Sequence, residues 1–230
     1  SHPPQSVMNI FGRFLELSMP VRDIRESLEW YRLLGFQECA VGDIYDYHYA
    51  VVTDGRVFIG LHSAGIEDIC LTFVRPELSL HIKELQALGL DVSDIYRGDE
   101  CFHQLILHDP AGLQVRLIEA RTFSPSVEDR APLTGQIRNL GISARYPDEA
   151  RDFWQHGGFS AHDDDESIEL LTPGMTLRLH AGTSAPQLNF LCPDKHTLIK
   201  LLIKEEQRYQ QRGELISLTS PEGLRLNVLG

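Results

Sequence analysis

The segment Asp23-Ile-Arg-Glu-Ser-Leu-Glu-Trp-Tyr-Arg-Leu-Leu34, closed by Gly35-Phe36, is the key to the fold. Ile24, Leu28 and Tyr31 recur at helical spacing, so one face of a helix is apolar. Glycine just past the last turn supplies a left-handed C-cap at low cost. The same sentence is written three more times. It recurs over 77–88 with Gly89, over 147–156 with Gly157-Gly158, and from Asp194 to Arg212 with Gly213.

A short strand is expected before each helix, at 14–21, 69–74, 138–144 and 187–191. After each helix come strand patterns split by a turn: Thr53-Asp54-Gly55, Asp109-Pro110-Ala111-Gly112, Thr172-Pro173-Gly174 and Ser220-Pro221-Glu222-Gly223. Proline and glycine at these places suit hairpin connections. Alternating strands follow at 56–62, 113–118, 175–180 and 224–229. The order strand–helix–strands–turn–strand therefore occurs four times, a repeat that decides the architecture. The helix-ending glycines lie 54 residues apart in the first pair (35 to 89) and 55 in the second (158 to 213). The step between the pairs is 69 (89 to 158). The extra length contains two prolines and no periodicity, and reads as a linker. The expectation is an α+β chain of four βαβββ modules in two tandem domains, 10–123 and 136–230, joined by 124–135.

The 230 residues carry 42% hydrophobic and 23% charged side chains, ordinary values for a globular chain. The formal charge of −12 repels a phosphate backbone, so nucleic acid is not expected as a partner. No stretch reaches the roughly 18 apolar residues that would span a bilayer, so no membrane role is expected. Cys39, Cys70, Cys101 and Cys192 form no C-x-x-C pair and read as reduced thiols of a cytoplasmic protein.

Two segments carry a resemblance. Leu17-Ser-Met-Pro-Val-Arg-Asp23 with Ser27-Leu-Glu-Trp-Tyr-Arg-Leu-Leu-Gly-Phe36 is one, and His108-Asp-Pro-Ala-Gly-Leu-Gln-Val-Arg-Leu-Ile118 is the other. They resemble the strand-and-helix start and the "D-P-x-G" hairpin of the vicinal-oxygen-chelate superfamily, which includes glyoxalases, bleomycin-resistance proteins and extradiol dioxygenases. The resemblance implies paired modules whose mixed sheets curl round a cavity, with helices outside. Alternation agrees with it: Leu15, Leu17 and Met19 are expected to face the helix, and Glu16 and Ser18 the cavity. In the second module Asp68, Cys70 and Thr72 take the cavity phase, as do Gln114 and Arg116 in its last strand.

Metal-dependent members of that superfamily draw His and Glu ligands from the first and last strand of each module. Carried over one at a time, those positions are Glu16, Gly60, Asp68 and Arg116 in the first half. In the second half they are Asn139, Arg178, Ala185 and Asn227. A guanidinium has no lone pair to give, and its charge opposes a dication. No metal and no cofactor are therefore expected. Arg116 is expected to neutralise Glu16 and Asp68 across the cavity floor and to hold a polar or anionic ligand.

The remaining ligand-binding candidates are His62, His103 and Tyr47. His48, His62 and His103 read as exposed or hydrogen-bonded histidines. Tyr45, Tyr47 and Tyr49, at a spacing of two, share one face, which either lines the cavity or meets solvent or a dimer neighbour. The acidic run His162-Asp-Asp-Asp-Glu166 reads as a solvated loop. Three functions follow from these residues. The first is metal-free binding of a small polar or aromatic molecule by the N-terminal half, as a monomer or homodimer. The second is a glyoxalase- or dioxygenase-like enzyme with a non-standard metal or acid–base site, and the third is a scaffold or interaction protein.

Overall fold

The computed structural model describes residues 10–41, 45, 47–80, 82, 91–97, 100–119 and 125–230. In the first half the strands are β1 Arg13–Pro20, β2 Gln37–Cys39, β3 Tyr49–Thr53, β4 Phe58–His62, β5 Cys70–Val74, β6 Asp91–Arg97, β7 Glu100–His108 and β8 Gln114–Ile118. They form one eight-stranded sheet in the order β2-β3-β4-β1-β5-β8-β7-β6. In the second half they are β9 Gln136–Ala144, β10 Ser160–Asp163, β11 Ile168–Thr172, β12 Met175–Ala181, β13 Gln187–Leu191, β14 Gln210–Arg212, β15 Leu215–Thr219 and β16 Arg225–Leu229. These repeat the order as β10-β11-β12-β9-β13-β16-β15-β14. Each sheet is thus two four-stranded modules joined through their first strands. β1 pairs β5 antiparallel, and each pairs its own module's last strand in parallel. Parallel pairing needs a crossover, which the helix supplies.

Helix α1 (Ile24–Leu33) begins where Asp23 accepts from the Glu26 N–H at 3.2 Å, an N-cap bond. It ends on Gly35 at φ +98, with the Phe36 N–H returning to the Tyr31 carbonyl at 3.1 Å. Helix α2 (Pro147–Gly157) repeats the ending, with Gly158 at φ +114 and Phe159 N–H on the Trp154 carbonyl. The helix expected over 77–88 lies, beyond its first residues, outside the described residues.

The fourth helix corrects its expectation. Helix α3 spans Lys195–Lys204 and does not reach Arg212. Glu206 takes a left-handed φ of 53, and the Gln207 N–H closes the last turn on the Leu202 carbonyl. From Lys204 to Gln207 the chain is wholly polar, so a further turn would bury nothing. Gln210–Arg212 instead becomes edge strand β14, and Gly213 lies in the turn that follows it.

One continuous apolar core joins the two halves, with Phe11, Phe73, Trp154, Phe36 and Phe190 among its members. The hairpin turn of each half also reaches a helix of the other. Glu222, in the turn before β16, accepts from Tyr31 Oη at 2.5 Å and Ser27 Oγ at 2.9 Å on α1. Asp109, in the turn before β8, accepts from Trp154 Nε1 on α2 at 3.3 Å. Tyr31 and Trp154 hold the same place, four residues before their capping glycines. Residues 125–135 lie in no helix or strand and are tied to the first half, for example by the Leu133 N–H on the Leu34 carbonyl at 2.8 Å. No helix among the described residues is long and apolar enough to cross a membrane.

Candidate functional site

The polar face of the first sheet, opposite the main core, begins with an irregularity in β1. Phe14 pairs with Phe73, and Glu16 with Thr72, so Leu15 is an extra residue opposite one step of β5. A bulge puts two consecutive side chains on one side. Leu15 therefore leaves the helix-facing set expected for it and packs with Tyr45, Tyr49, Val74 and Ile118, while Leu17 and Met19 stay in the main core.

Glu16, on β1, points across Gly60 of β4. A Cβ on Gly60 would stand 1.5 Å from Glu16 Oε2, so only glycine leaves the carboxylate its space. His62 lies two residues further along β4, in the same phase. Its Nε2 is 2.8 Å from Glu16 Oε2, and its Nδ1 is 2.9 Å from Tyr47 Oη. A carboxylate only accepts, so Nε2 carries the proton. In the neutral imidazole Nδ1 then accepts from Tyr47.

A second chain of bonds ends on the same carboxylate oxygen. Ser18 Oγ donates to Glu16 Oε2 at 2.8 Å. Its single proton is used there, so Thr72 Oγ1 donates to Ser18 Oγ at 2.7 Å. Thr72 Oγ1 in turn accepts from Arg116 Nε at 3.3 Å. The polarity is fixed at every step, from guanidinium through two hydroxyls to carboxylate. Arg116 Nη2 also donates to Tyr45 Oη at 2.5 Å, and its guanidinium carbon lies 5.0 Å from the centre of that ring.

Glu16, His62 and Arg116 are 3%, 1% and 2% exposed, a depth at which unpaired charge would be costly. Burial pushes the Glu16 carboxyl up, but His62, then Arg116 and Ser18, outweigh it and hold the group below its ordinary value. Burial works against the Arg116 charge too, yet Tyr45, Cys70, Glu16 and Tyr47 around it leave its pKa raised. Burial pushes the Tyr47 phenol up to about 12. Among the described residues no buried side-chain polar atom lacks a hydrogen bond.

The structure thus brings together Glu16, His62, Arg116 and Tyr47. Tyr45, Tyr47 and Tyr49 all turn inward, with ring centres 5.2, 5.7 and 5.5 Å from that of His62. Asp68 does not join them. It is exposed ahead of β5, and its carboxylate accepts the N–H of Ile69. The place expected for it belongs to Thr72, which faces Glu16 on one side and Arg116 on the other. Arg116 therefore neutralises Glu16 and not Asp68. The side chain of His103 lies outside the described residues; His48 is exposed. Ser18 and Thr72 were the site residues that sequence reasoning missed as participants. Their cavity phase was visible, but their register against Glu16 and Arg116 was not.

The second sheet carries a neutral copy of this arrangement. β9 has its own irregularity at Arg138, and Asn139 pairs with Asn189, which pairs with Asn227. Asn139, Asn189 and Asn227 match Glu16, Thr72 and Arg116. Ala185, expected at the middle position, precedes β13. Asn227 Nδ2 donates to Asn189 Oδ1 at 3.2 Å, and Asn189 Nδ2 to Asn139 Oδ1 at 2.7 Å. The direction, last strand to first, is the same as in the first half. Arg178, matching Gly60, turns to Asp164 at 3.0 Å. Asp164 also caps the turn of the acidic run by accepting from Glu166 and Ser167 N–H; the run is exposed as expected, but His162 and Asp163 belong to β10 and only the residues after them form the turn.

The resemblance puts a divalent metal among four inward positions of such a sheet, and the donor sets present do not suit one. The first half offers Glu16, Gly60, Thr72 and Arg116, and the second Asn139, Arg178, Asn189 and Asn227. Transition metals need imidazole, carboxylate or thiolate donors. Glu16, His62 and Cys70 are the donors of that kind on this face: Glu16 and His62 are engaged with each other beside a buried guanidinium, and burial pushes the Cys70 thiol up. Among the described residues no three His, Cys, Asp or Glu side chains gather to hold an ion.

Paired βαβββ modules joined through their first strands are the arrangement of the vicinal-oxygen-chelate fold, and this chain has that fold. Solved structures that share it include extradiol ring-cleaving dioxygenases. Homoprotocatechuate 2,3-dioxygenase from Brevibacterium fuscum aligns over 96% of this chain and 71% of its own, at 13% identity and a TM-score of 0.63. The Arthrobacter globiformis enzyme aligns over 95% and 79%, at 14% identity and 0.63. A catechol 2,3-dioxygenase aligns over 94% and 87%, at 14% identity and 0.58. No family model matches the chain, and no curated protein does.

Proposed function

We propose that this protein holds a small polar or aromatic molecule against the polar face of the first sheet without a bound metal. The observation that carries the reading is Arg116. It is a buried guanidinium on the last strand of its module, bonded to Tyr45 and Thr72, where the resemblance calls for a ligating carboxylate. A planar fork of donors suits a carboxylate, phenolate or carbonyl. The rings of Tyr45 and Tyr47, stacked 5.1 Å apart, suit a flat partner. A ligand reaching Arg116 takes over the bond now made by the Tyr45 hydroxyl. The solved likenesses, ring-cleaving dioxygenases named for homoprotocatechuate and catechol, are consistent with an aromatic ligand class. Among the described residues Cys39, Cys70 and Cys192 are buried free thiols, which supports a reducing, cytoplasmic setting. The protein acts as a monomer or a homodimer in this reading.

A second reading rests on the chain Glu16–His62–Tyr47. A carboxylate, an imidazole and a half-buried phenol in hydrogen-bonded series form an acid–base device, which would make the protein a metal-independent enzyme.

Metal analysis of the purified protein and a thermal-shift screen against phenols and aromatic acids test the proposal together. The expected result is metal far below stoichiometry and a shift from at least one aromatic acid. The Arg116→Met variant should lose that shift while keeping a cooperative melt. Stoichiometric iron, zinc, nickel or manganese overturns the reading.

A further inference from the structure

We infer that the second half carries a separate anion-binding cleft, formed where residues 207–209 pass over strands β14–β16, and that its ligand is a small organic carboxylate or phosphate.

The cleft has a volume of about 910 Å3, within the range of sites that hold small molecules. Its floor follows from register. Thr219 pairs with Arg225, Ser217 with Asn227, and Gln210 with Ser217, so these side chains share one face. The other face carries Ile216, Leu218, Leu226 and Val228, all buried. The wall exists because α3 stops early. The left-handed turn at Glu206 redirects the chain, and Tyr209 packs on the core while Arg208 is left exposed beside the cleft.

Charge decides the ligand class. The chain has 33 acidic and 21 basic residues, yet the lining contains Arg208 and Arg225 and no carboxylate. Elsewhere arginines are spent on acids, as Arg178 is on Asp164 and Arg151 on Asp163. The side chains of Arg208 and Arg225 have no hydrogen-bond or ion-pair partner among the described residues. Two free guanidinium groups over a floor of hydroxyl and amide groups recognise an anion bidentately, with polar groups beside it. This site is independent of Arg116, which lies in the other sheet.

Calorimetric titration of the full chain with inorganic phosphate, and separately with citrate, at constant ionic strength tests it. Saturable binding of one ion per chain is expected for at least one of the two. Phosphate alone points to a phosphate ester, citrate alone to a carboxylic acid, and both to an anion site common to the two classes. Arg225→Gln and Arg208→Gln should each weaken binding about tenfold, the scale of one charge-assisted hydrogen-bonded contact. Both residues are exposed, so the variants should melt as the parent does. Arg212→Gln, on β14 but outside the lining, should bind as the parent. Three results overturn the proposal: no saturable binding of either anion, binding indifferent to both cleft substitutions, or an equal loss in Arg212→Gln.

Discussion

Glu16 and Arg116 are joined through two hydroxyl groups, Ser18 and Thr72, with no direct hydrogen bond or ion pair between them. The link crosses from β1 to β5 to β8, so the charges of two modules are bridged at the strand pair that unites them. Thr72→Val keeps the shape and removes the hydroxyl. It leaves Arg116 Nε and a Ser18 lone pair unmatched in a buried place. A loss of about 1–3 kcal/mol is expected, read from urea unfolding. Ser18→Ala should cost a similar amount, and the double variant less than the sum, because both cut one chain.

The acid limb of stability should belong in part to Glu16. Its folded pKa is below the ordinary 4.5. A depressed carboxylate contributes stability that is fully present above the unfolded value and is lost as pH falls through the folded one. Urea unfolding from pH 7 down to pH 3 should therefore show a decline below about pH 4.5 that is shallower in Glu16→Gln. Parallel curves for the two proteins would remove the assignment. Asp109 is a useful contrast. Burial leaves its pKa raised, so its contribution runs in the opposite sense.

Gly60→Ala tests the space that Glu16 occupies. Gly60 is not at positive φ, so backbone strain plays no part. The new methyl group would meet the carboxylate at 1.5 Å, and Glu16 would have to give up its bonds with His62 and Ser18. The cost should reach about 3 kcal/mol, the upper end for overpacking. Combined with Glu16→Ala the penalty of the glycine change should fall, with a remainder from His62 Nε2, which the methyl group would still meet at 2.7 Å.

The two halves should unfold together, and Tyr31 measures why. Its hydroxyl, buried against Glu222 of the other half, is pushed well above the ordinary tyrosine range by burial and then by that carboxylate. Tyr31→Phe should cost about 1–3 kcal/mol, as for a hydrogen bond to a charged group. Far-ultraviolet circular dichroism and tryptophan fluorescence should still give coincident transitions. Separate transitions for Tyr31→Phe would show that this contact carries most of the coupling.

Periodicity in the residues was enough to reveal the repeated order of elements and to set Glu16, Ser18, Thr72 and Arg116 in the cavity phase; that Arg116 stands at a metal-ligand position is what the resemblance implies. Side-chain alternation has a period of two, so it states which face a residue takes but not which residue stands opposite. That is why Asp68 and Ala185 were each placed four residues too early, in the right phase but outside their strands, while Thr72 and Asn189 hold the positions. The bulge at Leu15, the early end of α3 and the grip of Glu222 on Tyr31 have the same origin. Each depends on what another part of the chain presents across a gap in space, and only tertiary packing decides that.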